Sequence, residues 1–160
     1  MDEKRQFLET TLARLLEWIR SADSKIAPIL AIDTSMLAII AALVPKPTQW
    51  TIVSAVIGVI AVVPLLVSLL FLFLAAFPHT KGPKPSIFYF EGIKAQDPDD
   101  YLAQVHALTN DQVLSDLAKQ CHRNAEIASI KYGHIKTAIT AMFISVIPWL
   151  VLVFLLYRGT

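Results

Sequence analysis

The chain has 160 residues, of which 55% are hydrophobic, and its formal net charge is +1. Ordinary soluble domains are about 45–50% apolar, so the excess is typical of a membrane protein. The small net charge argues against a protein that binds nucleic acid through a broad basic surface. The single cysteine, Cys121, excludes an intrachain disulfide and with it a disulfide scaffold of the exported kind.

Three long apolar runs follow one another along the chain, at residues 26–44, 51–77 and 138–157. About 20 apolar residues are needed to cross a bilayer as a helix, and each run is about that long or longer. Acids precede the first run and no cleavage site follows it, so we expect no signal peptide. The sequence therefore predicts an all-α integral membrane protein with three transmembrane helices.

The polar segments outside these runs also have helical patterns. Residues 1–25 repeat apolar side chains at three- and four-residue spacing, which predicts an amphipathic helix that continues into the first span. Within residues 78–137, helix starts are predicted at Asp97-Pro98 and at Thr109-Asn110. The aromatic segment 87–90 is expected to dock its rings on these helices. Together they predict a cytoplasmic helical bundle formed by extensions of the transmembrane helices.

Basic residues predict the orientation of the chain in the membrane. Residues 1–25 contain five lysines and arginines, and residues 78–137 contain seven. The opposite side has only Lys46 and Arg158. Because lysine and arginine are enriched in cytoplasmic segments, we expect a cytoplasmic N-terminus and an external C-terminus.

The sequence contains no recognisable catalytic or metal-binding pattern. The five glycines are scattered and form no phosphate-binding loop. The four histidines and Cys121 do not have the spacing of a zinc site. The prediction is therefore a protein that is not an enzyme and that has no cofactor and no metal.

Two polar features lie near the predicted spans. Asp23 and Lys25 stand where the first helix enters the bilayer, and Asp33 lies a turn or two further in. Ionisable side chains at such depth usually face a bundle interior or water and mark functional sites. The alternatives are a polar interface with Lys25 reaching towards water, and Asp33 reaching the lipid headgroups.

The second feature is a polar stripe on the helix that leads into the third span. Its members recur at spacings of three and four, which places them on one helix face: Asp116, Gln120, Asn124, Ile127 and Lys131, with Lys119 and Arg123 beside them. Carboxamides can hydrogen-bond the edge of a base, and basic side chains can neutralise phosphate. A solvated helix face, or hydrogen bonds between helices, is the alternative interpretation.

These features, in their order along the chain, resemble the Pycsar effector transmembrane family of bacterial anti-phage defence. The first half of the resemblance is Ala22-Asp23-Ser24-Lys25 before the first span. The second half lies before the last span: Phe88-Tyr89-Phe90-x-x-Ile93, Tyr101, Asp116-Leu-x-x-Gln120 and Asn124-x-x-Ile127-Ala-x-x-Lys131-Tyr132. The resemblance covers nearly the whole chain.

The resemblance implies a membrane effector at the bacterial inner membrane. It would sense cyclic UMP or cyclic CMP in the cytoplasm and disrupt the membrane, so that the infected cell stops growing. A homo-oligomer in the lipid bilayer is expected, with no nucleic-acid partner. We expect the ligand to bind between the first and last helices, at Asp23, Lys25, Phe90, Gln120, Arg123, Asn124, Lys131 and Tyr132.

Within that site, each residue type suits one part of a cyclic nucleotide. Lys25, Arg123 and Lys131 are candidates for the phosphate, and Gln120 and Asn124 are candidates for the base. Phe90 or Tyr132 would stack on the base. Two other functions stay open: an oligomeric membrane module that needs no ligand, and a small transporter of ions or solutes.

Overall fold

The computed structural model describes residues 2–44, 51–78, 82–83 and 86–158. Lys46, Lys81 and Lys84, which entered the prediction of orientation, lie outside these residues. The described chain forms five helices and no strand: α1 (Asp2–Leu43), α2 (Ile52–Ala76), α3 (Phe90–Lys94), α4 (Pro98–His106) and α5 (Asn110–Arg158). The predicted all-α membrane fold is thereby confirmed, because α1, α2 and α5 are each long and apolar enough to span a membrane.

The helices begin where the sequence provides capping groups. Thr51 and Ser54 form a reciprocal capping box at α2, in which each side chain accepts the backbone N–H of the other at 3.1 Å. Asp97 accepts the Asp99 N–H at 3.0 Å and so caps α4. At α5, the Thr109 N–H donates to Gln112 Oε1 at 2.9 Å.

The longest helices are not interrupted between their polar and apolar parts. Helix α1 contains the predicted N-terminal segment and the first apolar run, and it continues through Pro28. Helix α5 passes Gly133 without a break before the third apolar run. Each is therefore one helix over a stretch in which the sequence changes from polar to apolar.

The chain divides into two compact units. The polar unit consists of Met1–Ser21 and Pro78–Ile130, and the membrane unit consists of Ala22–Phe77 and Lys131–Thr160. In the polar unit the buried apolar side chains are Leu15, Ile87, Leu117, Cys121 and Ala128. The Cys121 thiol donates to the Leu8 carbonyl oxygen at 3.4 Å, and burial raises its pKa. Cys121 is thus a small core residue.

The membrane unit packs along one stripe of α2. Its buried positions alternate spacings of four and three residues, as in coiled-coil packing: Ser54, Gly58, Ala61, Leu65, Ser68, Leu72 and Ala75. Small residues at five of these positions allow helices to approach closely. The outward-facing side chains of α2, such as Val59, Leu66 and Phe73, are apolar as well. Such a surface suits contact with lipid.

Polar groups inside the membrane unit are satisfied by bonds that cross between helices. Ser145 donates to the Ala61 carbonyl oxygen at 2.6 Å, and the Trp149 indole N–H donates to the Met36 carbonyl oxygen at 2.9 Å. In an apolar medium such bonds replace the water that would otherwise satisfy these groups. They fix the register of α5 against α1 and α2.

Candidate ligand site

Four of the predicted site residues come together in the membrane unit, two from α1 and two from α5. We name Asp23, Lys25, Lys131 and Tyr132 the interfacial cluster. The Lys131 ammonium donates to Asp23 Oδ1 across the two helices. The Lys25 ammonium lies over the ring of Tyr132, 4.8 Å from its centroid, in a cation–π contact. Two contacts between α1 and α5 therefore lie within two residues of each other along each helix.

The members of the interfacial cluster differ in their access to solvent. The side chain of Lys131 is 10% exposed, whereas that of Asp23 is 47% exposed. Tyr132 packs against the apolar core of the membrane unit, beside Ala22, Ile135 and Ala138. Lys131 therefore reaches its partner from a buried position, and Asp23 is the partner that water or a solute can replace.

The other four predicted residues belong to the polar unit, where their contacts are internal. The Gln120 carboxamide donates to Ser86 Oγ at 2.8 Å, and the Asn124 carboxamide donates to the Gln120 carbonyl oxygen at 2.8 Å. Arg123 pairs with Glu126 at 3.0 Å. Phe90 is largely exposed, and its ring lies tilted against that of Tyr89, with centroids 4.7 Å apart.

The predicted stripe on α5 does lie on one inward face, but its acid has a role that the sequence analysis missed. Asp116 is buried, and its Oδ2 accepts three hydrogen bonds from the segment before α3. The donors are Ser86 Oγ at 3.0 Å, the Ile87 N–H at 2.9 Å and the Phe88 N–H at 3.4 Å. Together with Gln120, Asp116 therefore holds a loop rather than reading a base.

The expectation that the aromatic segment docks through its rings is wrong for Phe88 and Phe90, whereas the Tyr89 side chain is half-buried. Phe88 and Phe90 are exposed, whereas Ser86 and Ile87 are buried. The segment is attached by its backbone N–H groups, which bind Asp116, and by Tyr101, whose hydroxyl donates to the Ile87 carbonyl oxygen at 3.2 Å. Backbone donors at the surface of a bundle need acceptors, and a buried carboxylate supplies several at once.

Tyr89 is the aromatic residue of this segment that has an ionisable group, and its surroundings shift the pKa of that group. Burial raises the pKa of the Tyr89 hydroxyl, the nearby Glu91 carboxylate raises it further, and Arg123 opposes both. The hydroxyl therefore stays neutral at physiological pH. This electrostatic coupling places Arg123 close enough to influence Tyr89.

The polar unit also contains a cavity of about 400 Å³, which is within the size range of small-molecule sites. None of the eight predicted residues lines it. Its polar walls come from Gln104, Asp111, Gln112, Asp116 and Lys119. Two carboxylates and one lysine give this cavity no excess of positive charge for an anionic ligand.

A further buried acid lies inside the membrane unit. Asp33 of α1 is fully buried, and Ser68 of α2 donates to its Oδ2 at 2.6 Å. The alternative that Asp33 reaches the lipid headgroups is therefore wrong. Ser68 was missed because a lone serine in an apolar run has no signal of its own. Among the described residues, no group of three or more histidine, cysteine or acidic side chains could hold a metal ion.

Comparison with known proteins gives one match. A family model described as the Pycsar effector protein domain matches residues 7–158 of the chain. Searches of curated proteins and of solved structures found no significant match. The matched range includes all eight predicted site residues, the whole of α2 and α5, and α1 from residue 7 onwards.

Proposed function

Because the chain belongs to the Pycsar effector family, whose members act in anti-phage defence, we propose that it is activated by cyclic UMP or cyclic CMP. Binding would occur on the cytoplasmic side of the bacterial inner membrane. The bound protein would then impair the membrane and cause abortive infection. The family assignment is thereby extended to the class of the activating ligand and to its effect on the membrane.

The observation that supports this ligand most strongly is the composition of the interfacial cluster. A cyclic mononucleotide has one negative phosphate, one free ribose hydroxyl and one planar base. Lys131 and Lys25 offer ammonium groups for the phosphate, as lysines do at many phosphate sites. Tyr132 offers a ring for the base, and Asp23 offers an acceptor for the hydroxyl.

Electrostatics favour the interfacial cluster over the cavity of the polar unit. The cluster has two cations and one acid. The cavity has one cation and two acids, Asp111 and Asp116, and the second of these is already engaged by three donors. An anionic ligand should therefore prefer the cluster. The contributions of Phe90, Gln120, Arg123 and Asn124 stay predictions.

The Asp23–Lys131 pair suggests how a ligand would act on the membrane. A ligand shifts a conformational equilibrium only through different affinities for the two states. The pair joins α1 to α5 in the unliganded protein, and a phosphate would compete with Asp23 for the Lys131 ammonium. Binding would replace a helix-to-helix contact by two helix-to-ligand contacts. Since α1 and α5 continue into the apolar runs, that change would reach the bilayer directly.

The rest of the proposal concerns topology and assembly. We propose that the N-terminus and the polar unit are cytoplasmic, because the lysines and arginines are concentrated there. We also propose that several copies assemble in the bilayer, because three helices enclose little space. The protein would bind its nucleotide without transforming it.

Isothermal calorimetry on the full chain in detergent tests the ligand. We expect saturable heat with cyclic UMP or cyclic CMP and none with cyclic AMP, whose base is a purine. Absence of heat with both pyrimidine nucleotides, in a sample that retains its helical circular dichroism, would contradict the proposal. It would favour a membrane module that needs no ligand.

A further inference from the structure

Asp33 is a charge-bearing side chain that the proposed ligand site does not use. Its side chain is exposed to neither water nor lipid, since its relative exposure is 0%. Ser68 donates to Oδ2 at 2.6 Å, and Oδ1 has no hydrogen-bond partner among the residues that the structure describes. One oxygen of a buried carboxyl group is thus left unsatisfied in the closed bundle.

No cation compensates Asp33 within the spans. Across residues 26–44, 51–77 and 138–156, Asp33 is the only side chain that titrates. The titratable side chains of α5 nearest in sequence to that last range are Tyr157 and Arg158 after it and Lys136 and His134 before it. The His134 ring packs on Phe71 at 5.6 Å. On α1 itself the nearest are Lys25 and Asp23. An isolated buried carboxylate is very costly, so the carboxyl group carries its proton while the bundle is closed.

Water would change this state as soon as the helices separate. An acid in water ionises well below neutral pH, and the unsatisfied oxygen would gain hydrogen bonds from water. The Ser68 hydroxyl already lies on the carboxyl group. Opening of the bundle would therefore expose a negative charge beside the Ser68 hydroxyl, with no basic side chain in the three apolar runs.

We propose that Asp33 is the ion-selecting site of the activated protein and makes the permeability of the membrane selective for cations over anions. A negative side chain in a water-filled passage attracts cations and repels anions. Ser68 positions the carboxyl group in the closed state. This inference rests on the proposed ligand-triggered permeability, and it adds which ions pass.

The test is the reversal potential of the full chain in planar bilayers under a KCl gradient, with cyclic UMP or cyclic CMP added. We expect a cation-selective current for the native chain. Asp33→Asn keeps the shape and the acceptor for Ser68, and we expect its ratio of cation to anion permeability to fall about fivefold, the value for about 1 kcal/mol of attraction between unit charges in water. Asp33→Glu should keep the selectivity.

Two controls separate charge from packing. Ser145→Ala removes another buried bond between helices without removing a charge, and its selectivity should equal that of the native chain. Acidification to about pH 3, below the ordinary pKa of an aspartate in water, protonates a hydrated Asp33. Other groups titrate in every variant as well, so only a loss of selectivity in the native chain beyond that in Asp33→Asn reports on Asp33. We expect such a loss, because protonation removes the carboxylate charge.

The possible results distinguish the two proposals. A triggered current with equal selectivity in the native chain and in Asp33→Asn would overturn this inference and leave the proposed function intact. A native chain that gives no current with either nucleotide would contradict the proposed function, and this inference with it.

Discussion

Replacing Lys131 by methionine should reduce the affinity for the activating nucleotide by about 30-fold or more. Removing one member of a buried charge contact typically costs about 2 kcal/mol or more, and 1.4 kcal/mol corresponds to a factor of ten. Lys131 is the more buried partner of Asp23, with its side chain 10% exposed. Its ammonium is therefore the group of the interfacial cluster whose removal should weaken ligand binding most.

Lys136→Met is the matched control for this change. Lys136 is the same residue type on the same helix, α5, but it is exposed. Its replacement should leave the affinity within twofold of that of the native chain. The fold should survive Lys131→Met, because the Asp23 carboxylate that remains is 47% exposed and can be hydrated. Native affinity in Lys131→Met would contradict the interfacial cluster as the ligand site and would favour the cavity of the polar unit.

Replacing Asp116 by alanine should destabilise the polar unit by about 3 kcal/mol or more, because each hydrogen bond to a buried charged acceptor is worth roughly 1.5–3 kcal/mol. The substitution leaves the Ile87 N–H without its acceptor and removes one of the two acceptors of the Phe88 N–H. It also removes the acceptor of the Ser86 hydroxyl, which would keep the bonds that it accepts from Gln120 and from the Phe88 and Tyr89 N–H groups. The segment before α3 should then detach from α5.

Limited trypsin digestion measures this detachment, since Lys94 ends α3 just beyond the anchored segment. We expect cleavage after Lys94 to accelerate at least tenfold in Asp116→Ala. Asp111→Ala is the control, because Asp111 is an exposed acid in the first turn of the same helix. Equal cleavage rates in the two variants would show that Asp116 does not hold the segment.

The membrane architecture could be predicted from the sequence because it depends on composition over long stretches. Three runs of about 20 apolar residues have few alternatives to crossing a bilayer. Helices α1 and α5 are continuous because their helical patterns run on through Pro28 and Gly133, and the structure accommodates both residues. Helix starts could be predicted as well, because a capping group such as Asp97 acts within a few residues of its own position.

The partners of the polar side chains were harder to predict because they are distant in sequence. Asp116 on a helix face presents the same pattern whether it binds a ligand or a loop, and its donors lie about 30 residues earlier. Ser68, the partner of Asp33, stands 35 residues away within an apolar run. Asp23 and Lys131 are 108 residues apart, and they were grouped because both precede a span.

Release of potassium ions from liposomes that contain the full chain tests the central claim most directly. The expected result is release that starts on addition of cyclic UMP or cyclic CMP, saturates with concentration and does not occur with cyclic AMP. Release should be lost in Lys131→Met and kept in Lys136→Met. Release without any nucleotide, or an intact membrane at saturating concentrations of both pyrimidine nucleotides, would contradict the account.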